Sequence, residues 1–134
     1  MNASIAMVLP IEVEQRSTKL DAELQGVNSL AERYYRNVRE AAKLHPLELM
    51  RLLHDGAVLG GVLGEMPDDQ VAFDQVRATA PKRERGVMDD WYTSGGSSAQ
   101  KAKHRGICRA TIYLHWKSAL GYFRGRLHEK GIKL

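Results

Sequence analysis

The sequence predicts a small all-α protein that ends in a C-terminal helix-turn-helix. Three observations carry this. Apolar residues recur at helical spacing in several stretches, most clearly as Ile112, Trp116, Ala119, Leu120, Phe123 and Leu127. Proline and glycine punctuate the chain between those stretches, at His45-Pro46, Gly56 to Gly64, Pro67, Pro81 and Ser94-Gly-Gly-Ser-Ser. The third is the segment 97–127, in which Ala102 is followed by Gly106, Ile107 and Ile112 at the spacing of a helix-turn-helix.

In that segment Ala102 sits where two helices must approach closely, so a side chain larger than methyl would hold them apart. Gly106 supplies the left-handed backbone that ends the first helix without a Cβ penalty. Ile107 is expected beneath the turn, Cys108 near the start of the second helix, and Ile112 packed back under the first. Lys101, Lys103, Arg105, Arg109 and Lys117 surround these apolar points, and phosphates are expected there. An ordinary helical hairpin shares the spacing. The basic residues and the Arg109-Ala-Thr-Ile-Tyr opening of the second helix favour the DNA-binding form. Lys101 occupies a place that is usually apolar in such motifs, so the first helix is expected to be weakly anchored or slightly rotated.

The chain of 134 residues suits one domain or two small ones sharing a core. With 43% hydrophobic and 27% charged residues it is a globular and not a disordered sequence. Its net charge of +4 hides an asymmetry. Residues 1–80 carry 8 Lys/Arg against 12 Asp/Glu, and residues 81–134 carry 12 against 4. The first region is an acidic helical N-terminal part. The second is a basic helix-turn-helix part whose charge points to a polyanion.

One cysteine excludes an internal disulfide. His104, Cys108 and His115 lie close in sequence, but no second cysteine or CxxC completes a zinc set, so no metal and no cofactor are expected. The first fifteen residues lack a basic n-region and read as a poor signal peptide. No run approaches the roughly 18 apolar residues that span a bilayer. The expectation is a cytoplasmic protein with no membrane partner.

Taken in order, residues 1–10 form a weakly apolar lead-in. Residues 11–24 mix apolar and acidic positions and are ambiguous between extended and helical. Gly26 is expected to break the pattern, with Asn28 or Ser29 capping a helix to about Leu44 and Glu32 completing a capping box. Leu30, Tyr34, Val38, Ala41 and Ala42 share one face of it, and Tyr34-Tyr35 reads as core edge. Pro46 opens an apolar helix to about His54. The glycines at 56, 60, 61 and 64 lack the Lys-Ser/Thr of a P-loop and suit close packing or a break between short helices. Pro67-Asp68-Asp69 opens a helix to about Thr79, its acids favoured by the helix dipole. Lys82 to Arg85 reads as a basic joint between the two regions. Val87, Met88, Trp91 and Tyr92 make one short amphipathic helix, and Ser97 or Ser98 caps the next. In the last helix Trp116 is the largest core member, Tyr113, Lys117 and Arg124 point elsewhere, and Gly131 is the stop.

No catalytic constellation emerges, and the chain is not expected to be an enzyme. The serine-rich loop has no GxSxG around it. Cys108 with His104 or His115 permits a nucleophile argument, but both histidines fall in the basic segment. Asp68-Asp69 and Asp89-Asp90 are adjacent pairs without a third acid at useful spacing, and read as helix-opening acids.

Trp91-Tyr92 with the following Gly-Gly-Ser-Ser, then Ala102 to Cys108, then Arg109-Ala-Thr-Ile-Tyr and Trp116-Lys-Ser-Ala-Leu-Gly-Tyr-Phe-Arg-Gly-Arg-Leu, form a recognisable run. It resembles the Q-type transcription antitermination proteins of phages and prophages, with Cys108 where a serine is usual. The likeness covers residues 91–127, and sigma-factor-like helix-turn-helix domains share much of it. The single cysteine sets the chain apart from the zinc-containing branch. The resemblance implies binding to a promoter-proximal element of double-stranded DNA, then loading onto paused bacterial RNA polymerase, with or without its sigma factor, and readthrough of terminators. It implies phosphate contacts from Arg105, Arg109, Thr111 and Lys117, and places Ala110, Tyr113 and His115 nearer base edges. The acidic region would meet polymerase or a second copy on DNA. A regulator acting only at its operator, and a helical adaptor that binds no DNA, are the alternatives.

Overall fold

Helical periodicity becomes seven helices, with no strand, among residues 20–134, which the computed structural model describes. They are α1 (Ala22–Leu44), α2 (Pro46–Asp55), α3 (Gly60–Leu63), α4 (Asp68–Thr79), α5 (Lys82–Thr93), α6 (Ser98–His104) and α7 (Arg109–Glu129). The readings of residues 1–19 lie outside the described residues.

The long helix α1 packs against α2, α3, α4, α5 and α7. It runs straight through Gly26, where a break was expected. Its N-cap is Asp21, without a side-chain cap bond. Asn28 and Glu32 lie inside the helix, and the Asn28 amide donates to Glu32 Oε1 at 3.1 Å along the helix face instead of forming a cap. Gly26 serves packing: a Cβ there would stand 2.9 Å from the Leu134 carbonyl carbon. Lys82 to Arg85, expected as a joint, is the first turn of α5. Proline fits the position just before a helix, because its missing N–H has no intrahelical partner there in any case.

One apolar cluster runs through α1, α4, α5 and α7. Leu30, Tyr34 and Val38 meet Phe73 and Val76, Val87 and Met88, and Leu120, Phe123 and Leu127. The Phe73 ring lies 4.7 Å from Tyr34 and 5.0 Å from Phe123. The acidic and basic regions thus share this core, and position 80/81 marks a change of charge within one packed cluster. Tyr34 and Tyr35 are fully buried, deeper than a core edge. The apolar helix α2 is shallower than its composition suggests. It buries Leu49, whereas Leu47 and Met50 are 82% and 66% exposed.

Two buried polar clusters knit these helices. The Asp74 carboxylate accepts from Tyr34 Oη at 2.5 Å, from the Leu59 N–H at 2.9 Å and from the Gly60 N–H at 3.0 Å. The backbone donors that open α3 therefore already hold an internal carboxylate, which removes the glycine segment as a phosphate cradle. Arg77, wholly buried, makes a bidentate pair with Asp89 (2.7 and 2.6 Å) and donates to the Ala57 carbonyl at 3.0 Å. Tyr35 Oη also donates to Asp89, at 2.6 Å. Burial opposes the Arg77 charge, yet its Asp89 bonds hold the guanidinium above its ordinary value. Asp89 and Asp90 lie midway along α5, so they are not helix-opening acids as expected; Asp68 and Asp69 are.

Candidate nucleic-acid interface

The segment 97–129 forms a short helix, a four-residue turn and a long helix. Ser97 opens α6 with a reciprocal cap. Its Oγ accepts from the Gln100 N–H at 3.3 Å, and its own N–H donates to Gln100 Oε1 at 2.9 Å. At the other end Gly106 takes φ +69°, the Gly106 N–H donates to Lys103 O, and the Ile107 N–H reaches back to Ala102 O, each at 3.0 Å. This closes the carbonyls that α6 would otherwise leave open. Ala102 is buried where α6 meets α7, and Ile112 is buried one turn into α7. Ile107 is half-buried. Cys108 is the N-cap of α7, exposed, with its Sγ 2.9 Å from Thr111 Oγ1. That hydrogen bond draws the thiol below its usual pKa.

Lys101 has a specific place. Its Nζ stands 5.5 Å above the Trp91 ring and donates to the Gly96 carbonyl at 2.9 Å. Burial lowers its pKa. The amine meets an aromatic ring and a carbonyl, which ties α6 to Trp91. Trp91 is also part of an aromatic stack. Trp91 and Trp116 lie 4.2 Å apart at 10°, Tyr113 stands edge-on to Trp91 at 5.4 Å, and Trp116 Nε1 donates to Tyr92 Oη at 3.1 Å.

The remaining site residues separate by surroundings. Lys103 is exposed on α6, and so is Arg109, which opens α7 and donates from Nε to Ser98 Oγ at 2.9 Å, tying the two helix starts together. Arg105 pairs with Asp90 of α5. Ala110, Thr111, Tyr113, His115 and Lys117 are half-buried along α7. Burial, and then the nearby charges of Arg83 and Arg105, hold His115 below the ordinary histidine pKa. Leu114, unremarked in the sequence, is 59% exposed on the outward side of α7 with Ser118 and Gly121. The Arg105–Asp90 pair was also missed, since a separation of fifteen residues names no partner.

Among the described residues no group of three or more His, Cys, Asp and Glu gathers as a metal site, and no helix is long and apolar enough to cross a membrane. Comparison with protein-family models, with curated proteins and with solved structures found no match.

Proposed function

We propose that this chain is a DNA-binding transcription factor of the antitermination type. The start of α7 enters the major groove beside a promoter-proximal element, and the acidic region engages bacterial RNA polymerase. One observation carries the DNA-binding part. A short, doubly capped helix holds the start of α7 in a fixed position, with Lys103 and Arg109 exposed around it. Arg109 and Lys117 then serve as phosphate contacts, and Ala110 and Leu114 present apolar surface of the kind that meets a thymine methyl. Exposed Leu44, Leu47 and Met50 give the acidic region an apolar surface suited to a protein partner. Antitermination itself is supported by the resemblance of residues 91–127.

The adaptor reading has one observation in its favour: Lys101, Arg105 and Arg109 already make bonds within the protein. A salt series separates the two. Each phosphate contact contributes about −0.9 to the slope of log K against log salt, whereas an adaptor has no such affinity. Single-round transcription through a terminator then decides the rest. Readthrough is expected to require both the protein and its upstream DNA element. Unchanged termination with altered initiation would make the chain an operator-bound regulator.

A further inference from the structure

A groove of about 770 Å³ runs between the end of α2, the first turn of α5 and the turn that joins α6 to α7. Lys82, Arg83, Arg85 and Arg105 line it together with Asp89 and Asp90. Both acids are already engaged, Asp89 by Arg77 and Tyr35, Asp90 by Arg105. The Arg85 guanidinium lies so close over Gly56 that a Cβ there would stand 2.5 Å from it. Arg85 is thereby placed at the carbonyl end of α2, where a cation is favoured.

Lys82 and Arg83 differ. Both are exposed, and neither makes a hydrogen bond or ion pair among the described residues. They also stand at a helix N-terminus, where the macrodipole disfavours cations. The single acid of that turn, Glu84, stands against two cations, whereas the first turns of α1, α2 and α4 carry acids and no Lys or Arg: Glu23, Glu48, Asp68 and Asp69. A polyanion laid along the groove reverses the sign of that local conflict, because the helix end and both cations then face negative charge. Continuity points to which polyanion. Arg105 belongs to the groove and to the turn before α7, and the charges of Arg83 and Arg105 both act on His115 of α7.

We infer that Lys82 and Arg83 form a second phosphate-contacting arm, which holds the duplex DNA backbone flanking the segment met by α7. This rests on the DNA-binding reading above and widens its footprint from one helix to two. The arm meets backbone and no base edges, so it adds affinity without sequence preference and steepens the salt dependence.

The test uses the full chain and a fluorescently labelled mixed-sequence DNA duplex, with anisotropy measured across a salt series. The Lys82→Gln/Arg83→Gln double variant is compared with wild type and with Lys130→Gln/Lys133→Gln, which removes the same charge elsewhere on the surface. The first variant is expected to flatten the slope by roughly 2 and to bind roughly tenfold more weakly at low salt. Its thermal unfolding stays at the wild-type temperature or rises slightly, as removal of cations from a helix start requires, and the control keeps the wild-type slope. Wild-type affinity and slope in the first variant would overturn the arm while leaving α7 as a DNA contact. An equal loss in the control would reduce it to net charge. A wild type without salt-dependent affinity for the duplex would remove the DNA-binding reading and the arm with it.

Discussion

Asp90 holds the Arg105 guanidinium beside α5, so a phosphate that recruits Arg105 has to displace a carboxylate. Partly exposed pairs of this kind contribute about 0–1 kcal/mol, which a phosphate can overcome. Asp90→Asn removes the competitor. Duplex DNA affinity is expected to rise about two- to fivefold, within the worth of such a pair; anisotropy measures it, and an unchanged affinity would place Arg105 off the DNA. Arg77 makes the opposite kind of pair. Its guanidinium is wholly buried and joins Asp89 to the α2–α3 connection. Arg77→Leu leaves Asp89, 16% exposed, with its charge uncompensated. The expected loss is about 3 kcal/mol, the lower end of the range for a broken buried pair because some water reaches Asp89. Urea unfolding reads it directly, and a loss below about 1 kcal/mol would mean that the pair is not holding the helices. Neither pairing was legible in the sequence. Charge and period mark a residue as polar or apolar, but only the packing of elements distant in sequence decides which acid an arginine meets.

At the scale of elements, a helix end depends on backbone angle more than on space. A Cβ added at Gly106 or at Gly121 would meet nothing within 4 Å, yet Gly106 sits at φ +69° and Gly121 inside α7. Alanine should therefore act in opposite directions. Gly106→Ala is expected to destabilise by about 1–2 kcal/mol through left-handed strain, and Gly121→Ala to stabilise by about 0.4–1 kcal/mol by restricting the unfolded chain. Paired thermal melts compare them; a Gly106→Ala variant as stable as wild type would mean that the turn is not held in the left-handed form. The elements themselves were largely readable. Helical period located α4 and α7, proline marked the starts of α2 and α4, and the Ser97 cap and the Gly106 turn lie where their residue types put them. Two misreadings share a cause. Gly26 and the Lys82–Arg85 run look like breaks when judged by local propensity alone, but Gly26 admits Leu134 and the basic run begins a helix whose later residues Val87 and Met88 are buried in the core. Tertiary packing overrode propensity in both places.

Across the whole molecule, the charge halves share one core, from which unfolding as a single unit is expected. Tyr34, Tyr35 and Tyr92 come from α1 and α5 and hydrogen-bond to Asp74, Asp89 and Asn28 respectively. Burial raises all three hydroxyls above the usual tyrosine range, and the Asp74 and Asp89 charges add to the rise at Tyr34 and Tyr35. The sign follows from linkage. With folded values above the unfolded one, these groups contribute their full stability below about pH 10, and that contribution falls as pH rises toward the folded values, because the unfolded chain loses its protons first. Three such groups make the slope roughly 4 kcal/mol per pH unit above that point, enough to unfold a domain of ordinary stability within one to a few units. Tyrosinate absorbance from these residues is therefore expected to appear as one cooperative step. That step should coincide with the loss of helical circular dichroism and with the change in fluorescence of Trp91 and Trp116, whose rings are stacked between α5 and α7. If the tryptophan signal instead changed at a lower pH than the tyrosine step, α7 would be leaving α5 while α1 and α4 stayed packed. The acidic and basic regions would then be separate folding units despite their common core.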